Sequence, residues 1–155
     1  MINIKDGKLC GSNYSFTLPK GYNRVEGLDC FSDDDLVLAS DDNKYLNVVV
    51  YFEKENPARN DMQTMFDKNS SLIKLSDFIS TERGKGVGVG IYYENTFGGT
   101  QHYGERYDFK KNKDGETQIF IDISLWSGRG KDRQTIQEAV KLPIIQAFLE
   151  SIEYF

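Results

Sequence analysis

From residue 87 to residue 126, apolar and polar positions alternate in three runs separated by turn-forming residues. An aromatic-rich run ends at Phe97, before Gly98-Gly99. A second extends from Thr100 to Phe109 and is closed by a polar stretch ending at Asp114-Gly115, and a third runs from Thr117 to Trp126. Alternation with period two marks half-buried strands, and the glycine and aspartate punctuation joins them into an antiparallel meander. Earlier, Tyr14-Ser15-Phe16-Thr17-Leu18 alternates as a short strand, and Pro19-Lys20-Gly21 supplies its stop. Leu36-Val37-Leu38-Ala39 and the run from Tyr45 to Phe52 predict a hairpin about Asp41-Asp42-Asn43-Lys44. Its second arm is apolar almost without a break, which predicts cover on both faces.

Helical spacing occurs twice. Met62, Met65, Phe66, Leu72 and Ile73 recur on one helical face after a cap at Asn60 or Asp61. Near the C-terminus Ile136, Val140, Ile144, Ala147, Phe148, Ser151 and Ile152 share a face. Thr135 and Glu138 have capping-box spacing, Asp132 offers an earlier start, and Pro143 predicts a kink or a second helix beginning there. One helix before the meander and one after it, around strands needing cover on two faces, predict an α+β fold: an α/β/α sandwich with a central, mainly antiparallel sheet and helices on both faces. The 155 residues form one domain over 1–155, large enough to bury about two-thirds of its unfolded surface without metal or disulfide staples.

Pairing the meander through Gly98-Gly99 as a two-residue turn sets Phe97 against Thr100 and Glu94 against Tyr103. If Phe109 then faces Glu116, Tyr103 faces Asp122. Alternation collects Tyr92, Glu94, Tyr103, Glu105, Tyr107, Phe120, Asp122 and Trp126 on one side of the sheet. Opposite lies a core stripe of Val89, Ile91, Ile119, Ile121, Ile123 and Leu125, together with His102 and Arg106. Rings interleaved with carboxylates suit a cationic peptide, a basic protein loop or a sugar. Tyr92, Glu94, Tyr103, Glu105, Tyr107, Asp122 and Trp126 are therefore the candidate binding residues. The competing reading puts a helix over the rings and leaves the acids at the sheet margin. A one-residue change in either turn exchanges the faces.

Three segments carry a family resemblance. Phe16-Thr17-Leu18-Pro19-Lys20-Gly21-Tyr22 is similar to an opening strand with a Pro-x-Gly-aromatic turn, although Tyr22 stands where many members have Trp. Thr96-Phe97-Gly98-Gly99 leads into the strand of Tyr103 and Tyr107. The ending Phe148-Leu149-Glu150-Ser151-Ile152-Glu153-Tyr154-Phe155 looks like a closing helix with a serine-containing tail. In order and spacing these resemble the PsbP-like superfamily, the fold shared by a photosystem II extrinsic protein and a Ran-binding import factor. The resemblance implies the α/β/α sandwich and a non-catalytic, partner-binding role, and it carries over no functional residue.

The net charge of −5 and pI near 4.9 argue against non-specific nucleic-acid binding, which needs a basic footprint, and leave room for a basic protein partner. No apolar run approaches a membrane span, and residues 1–6 lack a signal peptide's hydrophobic stretch, so the chain as written is expected in the cytoplasm, or outside it if the natural start lies upstream. Cys10 and Cys30 lack zinc-site spacing and are expected as reduced, partly buried thiols, with a disulfide as the alternative in an exported protein.

Motifs for chemistry fall short. Gly84, Gly86, Gly88 and Gly90 lead into a strand rather than a helix, so they miss the dinucleotide frame and fit close packing instead. Ser127-Gly128-Arg129-Gly130-Lys131-Asp132 sits between strand and helix, where Arg129 and Lys131 would form a weak anion loop, yet Leu125 and Asp132 break the phosphate-loop pattern. Asn112, Asp114, Gly115 and Glu116 miss the calcium frame at Lys110 and Ile121. Asp33, Asp34, Asp35, Asp41 and Asp42 read as solvated turn residues. His102 is the single histidine, and nothing in the spacing of Glu105, Asp108 and Asp122 poises an acid–base pair. No catalytic residue, metal site or cofactor is assigned. The expected function is a non-enzymatic domain that binds a protein partner; the alternatives are a small-ligand carrier for a sugar, anion or cation, and an acidic inhibitor of immunity type.

Overall fold

The computed structural model describes residues 3–27, 35–53, 62–107, 118–126 and 134–155. Along the chain come β1 (Ile4–Lys5), β2 (Lys8–Cys10), β3 (Tyr14–Thr17), β4 (Asn23–Arg24), β5 (Leu36–Ala39), β6 (Leu46–Glu53), α1 (Met62–Lys68), β7 (Leu72–Lys74), β8 (Ile79–Arg83), β9 (Gly86–Asn95), β10 (Thr100–Tyr107), β11 (Gln118–Leu125), α2 (Ile136–Val140), α3 (Pro143–Ser151) and β12 (Glu153–Tyr154). The large sheet runs β4-β5-β6-β11-β10-β9, and both β7 and β8 lie along the outer side of β9. A small sheet runs β1-β2-β3-β12. All these pairings are antiparallel.

The predicted hairpin of Leu36–Ala39 with the run to Phe52 is present, and Val48, Val49 and Val50 are all buried, as a doubly covered strand requires. Leu46, Val48 and Val50 oppose Leu125, Ile123 and Ile121. Together with Leu36 and Leu38 they make the apolar face onto which α2 and α3 deliver Ile136, Ala139, Val140, Ile145 and Phe148. Each such fully buried side chain contributes about 1.5–3 kcal/mol relative to exposure. Phe16 meets Phe148 edge to face at 5.9 Å, which ties the small sheet to α3. On the opposite face Met62, Ile91, Tyr93 and Phe120 form a second cluster, with Met65 and Phe66 of α1 packed against it.

Three local readings need correction. Leu72 and Ile73 do not extend the first helix, because it ends at Lys68 and Asn69 takes over the chain: its side-chain oxygen accepts from the Ser71 amide and hydroxyl, and its carbonyl from the Leu72 amide. That turn starts β7 instead. In the C-terminal region the capping box of Thr135 and Glu138 is present and Pro143 begins a new helix. The break at residues 141–142 resets the helical phase, so Ile145, Phe148 and Leu149 face inward while Ile144 and Ala147 face out. Cys10 is exposed rather than partly buried and free; Cys30, Asn60, Asp61 and Asp132 lie outside the described residues.

The sequence reading also left the β1–β2 hairpin unassigned, although Asp6-Gly7 is a hairpin signature and both residues adopt positive φ, 52° and 73°. A last contact closes the molecule. Gly84, at φ 62°, forms a parallel bridge to Tyr154, and the Lys85 amide donates to the Tyr154 carbonyl at 2.9 Å. A Cβ there would stand 2.6 Å from the Tyr154 carbonyl oxygen. Gly84→Ala should therefore lower stability by about 2–4 kcal/mol, from left-handed backbone strain plus the clash. Urea unfolding measures it, and an unchanged midpoint would show that the C-terminal strand is not clamped at this turn.

Candidate functional site

Two register shifts decide which residues meet. Asn95, not Phe97, opposes Thr100, so the first turn spans residues 96–99. The Asn95 side chain accepts from the Phe97 amide at 3.0 Å and its carbonyl from the Gly99 amide at 2.9 Å, starting the turn two residues early. Tyr103 consequently faces Tyr92 rather than Glu94. A two-residue slip leaves the faces unchanged. Between β10 and β11 the slip is one residue: Tyr103 faces Ile123, and Gly104 faces Asp122. The turn that sets this register, with the expected Phe109–Glu116 pair, lies outside the described residues. The expected single face is thereby divided, because a one-residue slip moves every side chain of β11 to the other side.

Tyr92, Glu94, Tyr103 and Glu105 share the side of Ile119, Ile121, Ile123 and Leu125, whereas Asp122 and Phe120 lie on the other with His102, Arg106, Val89 and Ile91. Tyr103 and Glu105 are both 5% exposed. The Tyr103 hydroxyl donates to Glu105 Oε1 at 2.7 Å, and Arg83 grips the same carboxylate twice, Nε to Oε2 at 3.1 Å and Nη2 to Oε1 at 3.0 Å. Tyr92 packs on Tyr103 with ring centroids 4.9 Å apart. The glycine run makes this possible. Gly88 and Gly90 point to this face, and a Cβ at Gly90 would stand 2.5 Å from the Tyr103 hydroxyl. Burial, and secondarily the Glu105 carboxylate, hold the Tyr103 hydroxyl far above the usual tyrosine range.

On the opposite face Asp122 accepts from the Tyr93 hydroxyl at 2.8 Å and lies 2.9 Å from His102 Nδ1. His102 stacks on Tyr93 at 4.8 Å with 8° between the rings, and Phe66 of α1 meets Tyr93 edge-on at 5.6 Å. Burial, then the Asp122 carboxylate, push the Tyr93 hydroxyl well up. An aspartate–histidine pair is half of a nucleophile-activating relay. Ser124 lies directly across from His102, but no hydrogen bond joins its hydroxyl to the ring, and Tyr93 occupies the second oxygen of Asp122. The arrangement orients the imidazole and holds the strands in register.

Of the other candidates, Glu94 is half-buried and within 3.4 Å of the Gln101 amide, whose oxygen accepts from the Ile136 amide at the start of α2. Tyr107 is placed by its backbone opposite Gly88. Trp126, 46% exposed, continues the β11 ladder by donating its amide to the Tyr45 carbonyl at 3.0 Å. Arg129 and Lys131, with Asp33, Asp34, Asn112, Asp114, Gly115 and Glu116, lie outside the described residues. Among the described residues no group of histidine, cysteine, aspartate or glutamate side chains could hold a metal ion, and no helix is long and apolar enough to cross a membrane. The sequence reading missed Arg83. It also missed an exposed apolar ledge, Ile73 (50%), Leu75 (37%) and Ile79 (40%), on the edge strands beside Tyr92. Only the apolar residues at 72–79 hint at it, of which the helical reading took in Leu72 and Ile73.

This topology has a counterpart among solved structures. The solution structure of cyanobacterial PsbP (CyanoP) from Synechocystis sp. PCC 6803 superposes with a TM-score of 0.62 at 14% identity, covering 96% of this chain and 91% of that one. The chain has a PsbP-like fold. A structure from Bacteroides thetaiotaomicron VPI-5482 is also similar, with a TM-score of 0.50 at 11% identity; the match covers 92% of this chain and 45% of that one. No protein-family model and no curated protein matches the sequence. The PsbP-like likeness therefore rests on the superposed shape of the two chains.

Two measurements probe this framework. Glu105→Gln, which leaves Arg83 without its carboxylate, should cost about 3–5 kcal/mol, while the double change Arg83→Met/Glu105→Leu should come within about 1 kcal/mol of the parent. Chemical denaturation separates the two, and equal losses would show that the pair itself is the stabilising element. In alkali, burial pushes the Tyr22 hydroxyl up to about 12 and holds those of Tyr93 and Tyr103 well above the usual tyrosine range. The unfolded chain releases these protons near the ordinary tyrosine value of 10.0. The folded state thus binds more protons above that pH, and stability should be level below it and fall as pH climbs through 10 toward the folded values. The share of phenolate absorbance that belongs to these three buried rings should rise only together with loss of structure; full ionisation of every tyrosine in a still-folded protein contradicts this.

Proposed function

We propose that this PsbP-like domain is a non-enzymatic binding module, layered as an α/β/α sandwich, that recognises a protein partner. The observation that carries the reading is the apolar ledge of Ile73, Leu75 and Ile79 on the outer strands of the sheet. Three large aliphatic side chains side by side at a sheet edge form the kind of patch that marks an interaction surface. Glu94, in register with Ile73, borders it, and the chain carries a net charge of −5. A partner with an apolar anchor and a basic rim matches both features. The engagement of His102 by Asp122 and of Asp122 by Tyr93 favours a structural over a catalytic use of the one histidine.

The test is site-specific photocrosslinking at position 75 in the native cell, compared with the Ile73→Arg/Ile79→Arg variant. One discrete crosslinked protein, lost in the variant while the thermal midpoint holds, is the expected result. Crosslinks that do not change with the double substitution, or a purified domain that turns over a small molecule, would overturn the reading.

A further inference from the structure

We propose that the sheet face opposite the helices α2 and α3 carries a saccharide-binding platform at the β6–β11–β10 end, built on Tyr45 and Trp126. The register lays out two rows of side chains on that face. Leu46 and Leu125 are paired and buried in the core, so their neighbours Tyr45 and Trp126, joined by the amide-to-carbonyl bond at 3.0 Å, emerge on the other side. In line with them, Thr100 of β10 opposes Asn95 of β9. The next row holds Asn47, Ser124 and His102, with Tyr93 beyond.

Three observations select the ligand. Tyr45 is 39% exposed and Trp126 46%; these are cross-strand neighbours, about 4.5–5.5 Å apart at Cβ, a spacing on which one six-membered ring can rest. The polar side chains beside them are unused. Asn47, Ser124 and Thr100 are half-buried, make no side-chain hydrogen bond among the described residues, and are absent from the buried unsatisfied atoms, so their polar groups open to solvent. His102 joins them, its Nδ1 held 2.9 Å from Asp122, so that Nε2 is the ring nitrogen not engaged by that carboxylate. Finally, from β6 to β9 the two rows contain no Lys, Arg, Asp or Glu; the first charge in line is Lys74, opposite Tyr93.

Amide and hydroxyl groups that both donate and accept, next to aromatic faces and without net charge, complement a neutral pyranose: its hydroxyls donate and accept in turn, and its axial C–H face is apolar. A cationic or anionic ligand would meet only charges already engaged: Asp122 by His102 and Tyr93, and Lys74 by Gln63 and the Phe66 and Phe78 rings. A proline-rich peptide would also use the rings, yet it offers mostly carbonyl acceptors, which engage only half the capacity of Asn47, Ser124 and Thr100. The platform lies on the other face from the ledge of Ile73 and Ile79, and the proposal stands independently of the partner reading.

Trp126 is the single tryptophan of the chain, so intrinsic fluorescence reports this place alone. Purified full-length protein would be titrated with cellohexaose, maltohexaose, chitotetraose and a deca-proline peptide. The expected result is a saturable change in emission with at least one oligosaccharide, weakened about tenfold or more by Tyr45→Ala and several-fold by Asn47→Ala, with the thermal midpoint of each variant unchanged. Amide chemical-shift mapping on the unaltered protein gives a check that needs no variant: shifts should concentrate at residues 45, 47, 100, 102, 124 and 126. No emission change with any oligosaccharide at tens of millimolar overturns the proposal. So does a response that survives Tyr45→Ala, a shift map centred elsewhere, or saturation by the proline peptide alone.

Discussion

Glu105 lies on the face of the large sheet that also carries Ile119, Ile121 and Ile123, and an ionised carboxylate there costs several kcal/mol unless it is matched where it stands. Much of the local architecture follows from matching it. Arg83 must reach across from β8, so β8 has to fold back along β9 through the tight turn at Gly84. Gly90 must lack a side chain so that the Tyr103 ring can pack there and offer its hydroxyl, while Gly88 admits the Thr81 hydroxyl and the Arg106 carbonyl beside it. The same turn then receives the C-terminal strand through Tyr154. One buried charge thus links the glycine run, the β8–β9 hairpin and the closure of the small sheet against the large one.

The longer strands were legible: Ile119, Ile121, Ile123 and Leu125 alternate without error, and the β5–β6 hairpin declares itself by its apolar run, whereas the short β1, β2, β4, β7 and β12, and β8 with them, carry too few patterned residues to declare themselves. The helix break at Pro143 and the cap at Thr135 were legible too, since each depends on local chemistry alone. What escaped was register. Asn95 opens its turn through a side-chain hydrogen bond that competes with the glycine pair two residues later, and the alternation of β10 is ambiguous because Tyr, Glu, His and Arg occupy both of its faces. With no aliphatic residue in β10 to choose a side, the pattern could not say whether Tyr103 or His102 joined the isoleucines. Arg83 decides it, and a salt bridge between residues 22 positions apart leaves no periodic trace.

The two faces of the sheet end up with different chemistry. One is an aliphatic floor with the Arg83–Glu105 ion pair sunk into it; the other mixes aromatic rings with polar groups, Arg106 over the Phe120 ring among them, around the His102–Asp122–Tyr93 cluster. A PsbP-like fold shared with CyanoP at 14% identity leaves such surface chemistry free to differ. Similarity of shape therefore speaks to how the chain is built, and the faces speak to what it meets.

The outer edge of β9 has a further property. It is lined by two short strands with a gap at residues 75–78, and within that gap the Ser76 hydroxyl accepts from the Tyr92 amide at 3.0 Å, while the Leu75 amide donates to the Tyr92 carbonyl. An unbroken outer strand would offer another chain a continuous row of backbone donors and acceptors, the template from which ordered aggregates grow. Here the row is interrupted, and the inner strand's backbone groups at the interruption are already engaged by a side chain and a bend. The domain can therefore hold aliphatic residues at its rim without inviting sheet-to-sheet polymerisation.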